Sequence, residues 1–268
     1  MSFIAIDRTD PEIWLLTLDR PERLNALSVQ LVLDLRDAIA AVAHDPRCRV
    51  AILRGAGRGF CAGADLKSPE DRVPGSEGMS ELGRIYRMQE NLAAAILALH
   101  ECPKPILAAV HGAAVGGGLA VARACDVRVA VTSAVFGSVF IRVGLSSCDV
   151  GVSYLLPRIV GAARAAELML TGRHFDAQEA LRIGLVHDVV SEEELLGSAL
   201  ATARLIAANS EYGVWMTKQG LRANLDAPSL RHAIELENRT QVLGTFTGNM
   251  TEAMHAFQEG RAPRWKPL

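Results

Sequence analysis

The chain has 268 residues, 50% of them hydrophobic and 22% charged, enough to bury a sizeable core in one large domain or one and a half small ones. A formal net charge of -2 supplies no field that would gather nucleic acid or an anionic membrane surface, so neither is an expected partner, although Arg261, Arg264 and Lys266 make the tail locally basic. Cys48, Cys61, Cys102, Cys125 and Cys148 are widely spaced and form no C-x-x-C pair, and charged residues interrupt every apolar run before it could span a bilayer; reduced thiols in a cytoplasmic protein are the expectation.

Residues 2–8 and 12–18 are short β-type runs joined by a turn signal at Asp10-Pro11, which predicts an N-terminal hairpin. Residues 19–27 read as a polar loop. Ser28 then looks like the N-cap of a helix with Leu31, Leu35, Ile39 and Val42 on one face. Arg49 to Leu53 suits a strand and runs into a glycine-rich corner, Gly55-Ala56-Gly57-Arg58-Gly59-Phe60-Cys61-Ala62-Gly63-Ala64-Asp65. Gly55-x-Gly57 invites a dinucleotide reading, but the third position of that fingerprint is Phe60 and no long helix opens there. Phe60-Cys61-Ala62 is too apolar for a solvated loop, so a buried place beside a crevice is expected.

Residues 68–80, rich in turn formers and charge, read as an insertion or as a lid over that crevice. Leu82, Ile85, Met88, Leu92, Ile96 and Leu99 have helical spacing, and Pro103 and Pro105 stop that helix. The apolar run led in by Pro105 then reads as a short buried strand ahead of Gly116-Gly117-Gly118, which opens a short helix. Glycines at a helix start leave unpaired N–H groups uncovered, so this second corner suits an oxyanion hole or anion cradle; a close-packed turn is the alternative. Asp126 to Val131 alternates as a further strand, and an irregular segment begins at Phe136-Gly137. From Asp149 on the spacing is mainly helical, with one β-type stretch at Leu185 to Val190 and no strand over 192–259. An α/β core over 1–191 and a helical region over 192–268 are therefore expected.

Two glycine corners, each after a strand, offer amides that polarise one carbonyl oxygen from two sides. With them come Asp19-Arg20-Pro21-Glu22-Arg23-Leu24-Asn25-Ala26-Leu27, Cys125-Asp126, Leu170-Thr171-Gly172 and Gly184-Leu185-Val186, and over nearly the whole chain the sequence resembles the crotonase (enoyl-CoA hydratase/isomerase) superfamily. The resemblance implies a spiral of β-β-α turns with a C-terminal helical trimerisation region, assembled as a homotrimer or hexamer. It implies an acyl-CoA substrate, with no cofactor beyond the coenzyme A of that substrate. It makes the amides of Ala64 and Gly117 the oxyanion-hole donors and places the substrate along Arg23, Leu24, Ala62, Asp65, Leu66, Lys67 and Phe140, with Arg261, Arg264 or Lys266 near the phosphates.

Hydratases of this superfamily carry two glutamates that hold and deprotonate water, and their offsets land here on Ala120 and Phe140, neither of which moves a proton. Ser146-Ser147-Cys148-Asp149-Val150-Gly151 instead resembles the dienoyl-CoA isomerase segment in which an aspartate shuttles protons. Asp149 matches that aspartate, although the chain is one residue longer between Gly144 and Asp149 and the isomerases' other acidic positions are Ala120 and Ile141. Double-bond isomerisation is the expected chemistry, ahead of hydration by a variant mechanism, thioester hydrolysis, or acyl-CoA binding without catalysis. Helix N-capping is the other role open to Asp149. His111 is expected to be a satisfied hydrogen-bonder, Cys61 and Cys148 small buried hydrophobes, and Asp126 a fixer of strand ends; no histidine and carboxylate spacing suggests a metal site.

Overall fold

The computed structural model describes residues 2–67 and 73–268. The hairpin β1 (Ile4–Asp7) and β2 (Ile13–Leu18) leads through a 3-10 turn (Pro21–Arg23) to α1 (Val29–His44), β3 (Val50–Gly55) and α2 (Glu81–Glu101). There follow β4 (Ile106–Val110), β5 (Ala113–Val115), α3 (Gly117–Ala124), β6 (Val127–Val131), β7 (Val135–Gly137) and a second 3-10 segment (Val139–Val143). Then come α4 (Val152–Val160), α5 (Ala162–Thr171), β8 (His174–Asp176), α6 (Ala177–Arg182) and β9 (Asp188–Val190). The chain ends in α7 (Leu195–Ala207), α8 (Glu211–Asn224), α9 (Leu230–Thr245) and α10 (Asn249–Glu259). Among the described residues no helix is long and apolar enough to cross a membrane.

The main sheet runs in the order β1-β2-β3-β4-β6-β9, parallel except for the β1/β2 hairpin. β3 and β4 are central and covered on both faces, which is why they read as unbroken apolar runs. Their alternate residues go opposite ways. Ala51, Leu53, Ala108 and Val110 join α1 and α2 in the larger core, whereas Val50, Ile52, Leu107 and Ala109 pack with Ala199 and Ala203 of α7. Thus α7, just past the expected 191/192 division, covers the main sheet. α8 is pinned to the start of β4: Lys218 Nζ donates to Asp126 Oδ2 (2.7 Å) and to the Lys104 carbonyl (3.0 Å), while Ile106 N–H donates to the same carboxylate oxygen (2.8 Å).

The second sheet, β5-β7-β8, differs most from what the sequence pattern predicts. The short strand expected after Pro105 is β4; beyond it the chain turns at Gly112 (φ +53°), where a Cβ would lie 2.2 Å from the Arg58 carbonyl oxygen, and forms a further strand, β5, in the second sheet. The segment at Phe136-Gly137 is not irregular but strand β7, and β8 is a strand inside a stretch read as helical. Both have three residues, too few for period-two alternation to register. Of the β-type stretch 185–190 only Asp188–Val190 pairs. The insertion or lid reading of residues 68–80 falls partly on 68–72, outside the described residues; beyond them Val73 is buried and its carbonyl accepts the Ser76 hydroxyl (2.7 Å).

Candidate active site

The two glycine corners meet where β3 and β4 end, at the carboxyl edge where crevices of parallel sheets open. Phe60 N–H donates to the His111 carbonyl (2.7 Å), Cys61 N–H to Ala113 (2.8 Å), and Val115 N–H returns to Cys61 (3.2 Å), so the first corner runs as an extra strand beside β5. Gly118 makes that approach possible. A Cβ there would stand 2.0 Å from the Cys61 carbonyl oxygen. A Cβ built on Gly63 would lie 3.3 Å from the Gly117 nitrogen and one built on Gly117 3.8 Å from the Ala64 nitrogen, so the two amide nitrogens border one narrow gap. Around Ala64 the pairing with Leu27 uses Leu27 N–H to the Gly63 carbonyl (2.7 Å) and Asp65 N–H to the Leu27 carbonyl (3.2 Å), which turns the Ala64 N–H to the opposite side. Gly117 is the first residue of α3 and its N–H has no acceptor within the helix.

Asp149 stands in a loop between the second 3-10 segment and α4, half-buried. It is not the N-cap of α4: Gly151 holds that place, and the carboxylate turns away to accept a hydrogen bond from the Gln89 amide on α2. Its main-chain carbonyl accepts Val152 N–H (2.7 Å). Between them Val150 has φ +35° and Gly151 φ +77°. Left-handed backbone at a β-branched residue costs about 1–3 kcal/mol, so packing around this turn has to hold it.

The loop 19–27 lies against the strip 62–67. Leu24 and Asn25 adopt left-handed backbone (φ 51° and 55°), and the Leu24 carbonyl accepts Ala62 N–H (3.0 Å). Asn25, fully buried, accepts Arg20 N–H (2.9 Å) and donates to the carbonyls of Ala56 (2.9 Å) and Gly59 (2.8 Å), tying the loop to the first corner. Replacing Asn25 by alanine leaves three hydrogen-bond partners unmatched, two of them buried, and a loss of about 3 kcal/mol in unfolding free energy is expected, read by denaturant titration. Arg23, Leu66 and Lys67 are exposed. Asp65 is turned inward: it pairs with Arg20 Nη1 (2.5 Å) and accepts Lys67 N–H (2.9 Å), so it shapes the strip.

A sequence model described as Enoyl-CoA hydratase/isomerase matches residues 8–267. The chain belongs to the enoyl-CoA hydratase/isomerase family. It is 43% identical to the probable enoyl-CoA hydratase EchA12 of Mycobacterium tuberculosis over 98% of this chain and 92% of that protein. It is 33% identical to the peroxisomal Delta(3,5)-Delta(2,4)-dienoyl-CoA isomerase of Arabidopsis thaliana, over 97% of this chain and 95% of the other. The crystal structure of a probable enoyl-CoA hydratase/isomerase from Mycobacterium abscessus superposes with a TM-score of 0.93 at 41% identity, covering 99% of both chains. The spiral crotonase fold is thereby shared.

The two positions at which the resemblance would place hydratase glutamates hold buried apolar side chains: Ala120 is fully enclosed in α3, and Phe140 packs with its ring edge 4.0 Å from where a Cβ on Gly116 would be. His111 meets the Gly57 carbonyl through Nε2 (2.9 Å). Cys61 is buried, and burial pushes its thiol up to about 12, which keeps it protonated. Cys148 departs from expectation. It is exposed, because the loop before Asp149 leaves only Ser147 turned inward, its hydroxyl donating to the Met169 carbonyl (2.8 Å). A thiol reagent at neutral pH is expected to label Cys148 alone in the native protein and all five cysteines after unfolding, read by intact mass.

In the tail, Arg261 is claimed by Glu252 (2.6 Å) and Glu259 (2.5 Å), leaving Arg264 and Lys266 as its exposed cations. Two residues near Asp149 escaped the sequence reading. Gln89 sits in an amphipathic helix with nothing local to distinguish it. Arg123 did carry a signal, a charge in the otherwise apolar run Leu119-Ala120-Val121-Ala122-Arg123-Ala124.

Proposed function

We propose that the protein is an enoyl-CoA isomerase that works through a thioester enolate. The thioester carbonyl oxygen of the acyl-CoA lies between the N–H groups of Ala64 and Gly117. The Asp149 carboxylate removes a proton from the α- or γ-carbon, the electron pair moves onto the carbonyl oxygen to give the enolate, and the protonated Asp149 returns the proton to the other carbon as the double bond shifts. Fixed amides aimed at that oxygen stabilise the enolate more than the ground-state carbonyl, by about 2.7–4 kcal/mol for each donor in comparable sites. Arg23, Leu24, Ala62, Asp65, Leu66, Lys67 and Phe140 form the acyl-CoA strip, with Arg264 or Lys266 toward the phosphates; the coenzyme A belongs to the substrate and no further cofactor is invoked.

The observation that carries this reading is that both positions at which the resemblance would place water-holding glutamates are buried apolar residues, Ala120 and Phe140, whereas Asp149 reaches solvent. Isomerisation needs one proton carrier; hydration needs water held and split. The hydratase name of the Mycobacterium tuberculosis relative favours hydration by a variant mechanism as a second reading. The exposed Leu243, Phe246, Met250, Met254 and Phe257 of α9, its C-terminal end and α10 suit self-association as a homotrimer or hexamer. The test is incubation with trans-3-hexenoyl-CoA and crotonyl-CoA in heavy water. Growth of the conjugated 2-enoyl product with deuterium at the γ-carbon, the position that receives the returning proton, supports isomerisation; conversion of crotonyl-CoA alone to its 3-hydroxy product replaces it with hydration.

A further inference from the structure

Arg123 lies in the last turn of α3 with 2% of its surface exposed. Its Nη2 donates to the Val150 carbonyl (2.6 Å), while Nε and Nη1 have no hydrogen-bond acceptor among the described residues. The guanidinium lies against the turn, its Nη2 3.4 Å from where a Cβ on Gly151 would stand. Burial, with a smaller push from Arg128, pulls it down to about 9, and attraction to Asp149 opposes that fall, so it stays cationic at neutral pH. A buried cation with two idle donors weakens a fold, and an apolar side chain of similar length would fill the same space without that penalty. The charge is placed where the backbone is least favourable, at a left-handed valine one residue from the carboxylate.

The first residue of α3 is Gly117. Six residues of helix, about 9 Å, separate it from Arg123. We propose that Arg123 is a positioning residue for the proton shuttle: by holding the Val150 carbonyl from one end of α3, it fixes the Asp149 carboxylate at a set distance from the Gly117 amide at the other end. This rests on the assignment of Asp149 as shuttle made above. A single rigid helix then carries both the donor to the substrate oxygen and the anchor of the base.

The experiment compares R123M, R123K, D149N and the two double variants on trans-3-hexenoyl-CoA, with the near-ultraviolet band of bound acetoacetyl-CoA enolate as an independent reading of the amide pair. R123M is expected to lower kcat about 10- to 100-fold, the scale of an ångström-sized misplacement, with KM and the enolate band unchanged. R123K, which keeps the charge and one donor, is expected to lose about three- to tenfold. Neither substitution is expected to lower the rate further in D149N, because each acts through the missing carboxylate. R123M at full rate beside a crippled D149N overturns the role of Arg123 and leaves the shuttle standing, whereas D149N at full rate overturns both. A loss confined to KM or to the enolate band, or one that persists in the D149N background, also overturns it. If R123M does not fold, R123K decides: full activity, or a loss undiminished in D149N, rejects the proposal.

Discussion

Replacing Asp149 by asparagine is expected to lower the isomerisation rate by about 10²–10⁴ while acyl-CoA binding is unchanged, the effect of removing a positioned acid/base and nothing else. The substitution is nearly isosteric, and an amide oxygen still accepts from Gln89, so α2 keeps its partner. The main-chain bond from Val152 N–H to residue 149 does not involve the side chain, so the start of α4 is retained. What disappears, on the proposed mechanism, is the capacity to take a proton from carbon and give it back. The measurement is kcat on trans-3-hexenoyl-CoA, together with deuterium uptake at the α-carbon and acyl-CoA affinity by titration. D149N that exchanges deuterium at the normal rate locates the base elsewhere; D149N that no longer binds acyl-CoA assigns the residue to substrate holding.

The parts of this site that were legible in the sequence are those whose chemistry is local. Glycines after a strand announce bare backbone, and the corner at Gly116-Gly117-Gly118 could be read as a helix N-terminus because the strand, the glycines and the apolar helical run are contiguous. The Ser28 cap and the helix face of Leu31, Leu35 and Ile39 were legible for the same reason. In sequence the loop around Leu24 and Asn25 is distinguished only by its polarity; that Asn25 is its buried keystone depends on carbonyls of Ala56 and Gly59, thirty and more residues away. β7 and β8 were missed because they take their meaning from pairing with each other and with β5. Asp149 could equally have capped α4. The choice was made by Gln89, which lies sixty residues earlier in the chain and meets Asp149 only through the fold.

Substitution of Gly118 by alanine is expected to cost about 10² in kcat or more, by displacing an amide donor without touching any side chain at the site. The added Cβ would meet the Cys61 carbonyl oxygen at 2.0 Å, its carbon at 2.8 Å and its Cβ at 3.0 Å, and Cys61 has little freedom to yield because it is bonded on both sides to the strand containing Ala113 and Val115. Relief of the clash requires α3 and the first corner to separate by roughly an ångström, and that separation widens the gap between the Ala64 and Gly117 nitrogens. Overpacking costs about 1–3 kcal/mol of stability as well, so kcat is read well below the unfolding transition. Gly197→Ala in α7, where a Cβ meets nothing within 4 Å, is the control and is expected to leave activity intact. Loss of the near-ultraviolet enolate band of bound acetoacetyl-CoA in G118A, with the band preserved in D149N, separates the two halves of the proposed chemistry: amides that receive the charge and a carboxylate that moves the proton. A folded G118A that keeps both band and rate rejects the pairing of those two nitrogens around one oxygen.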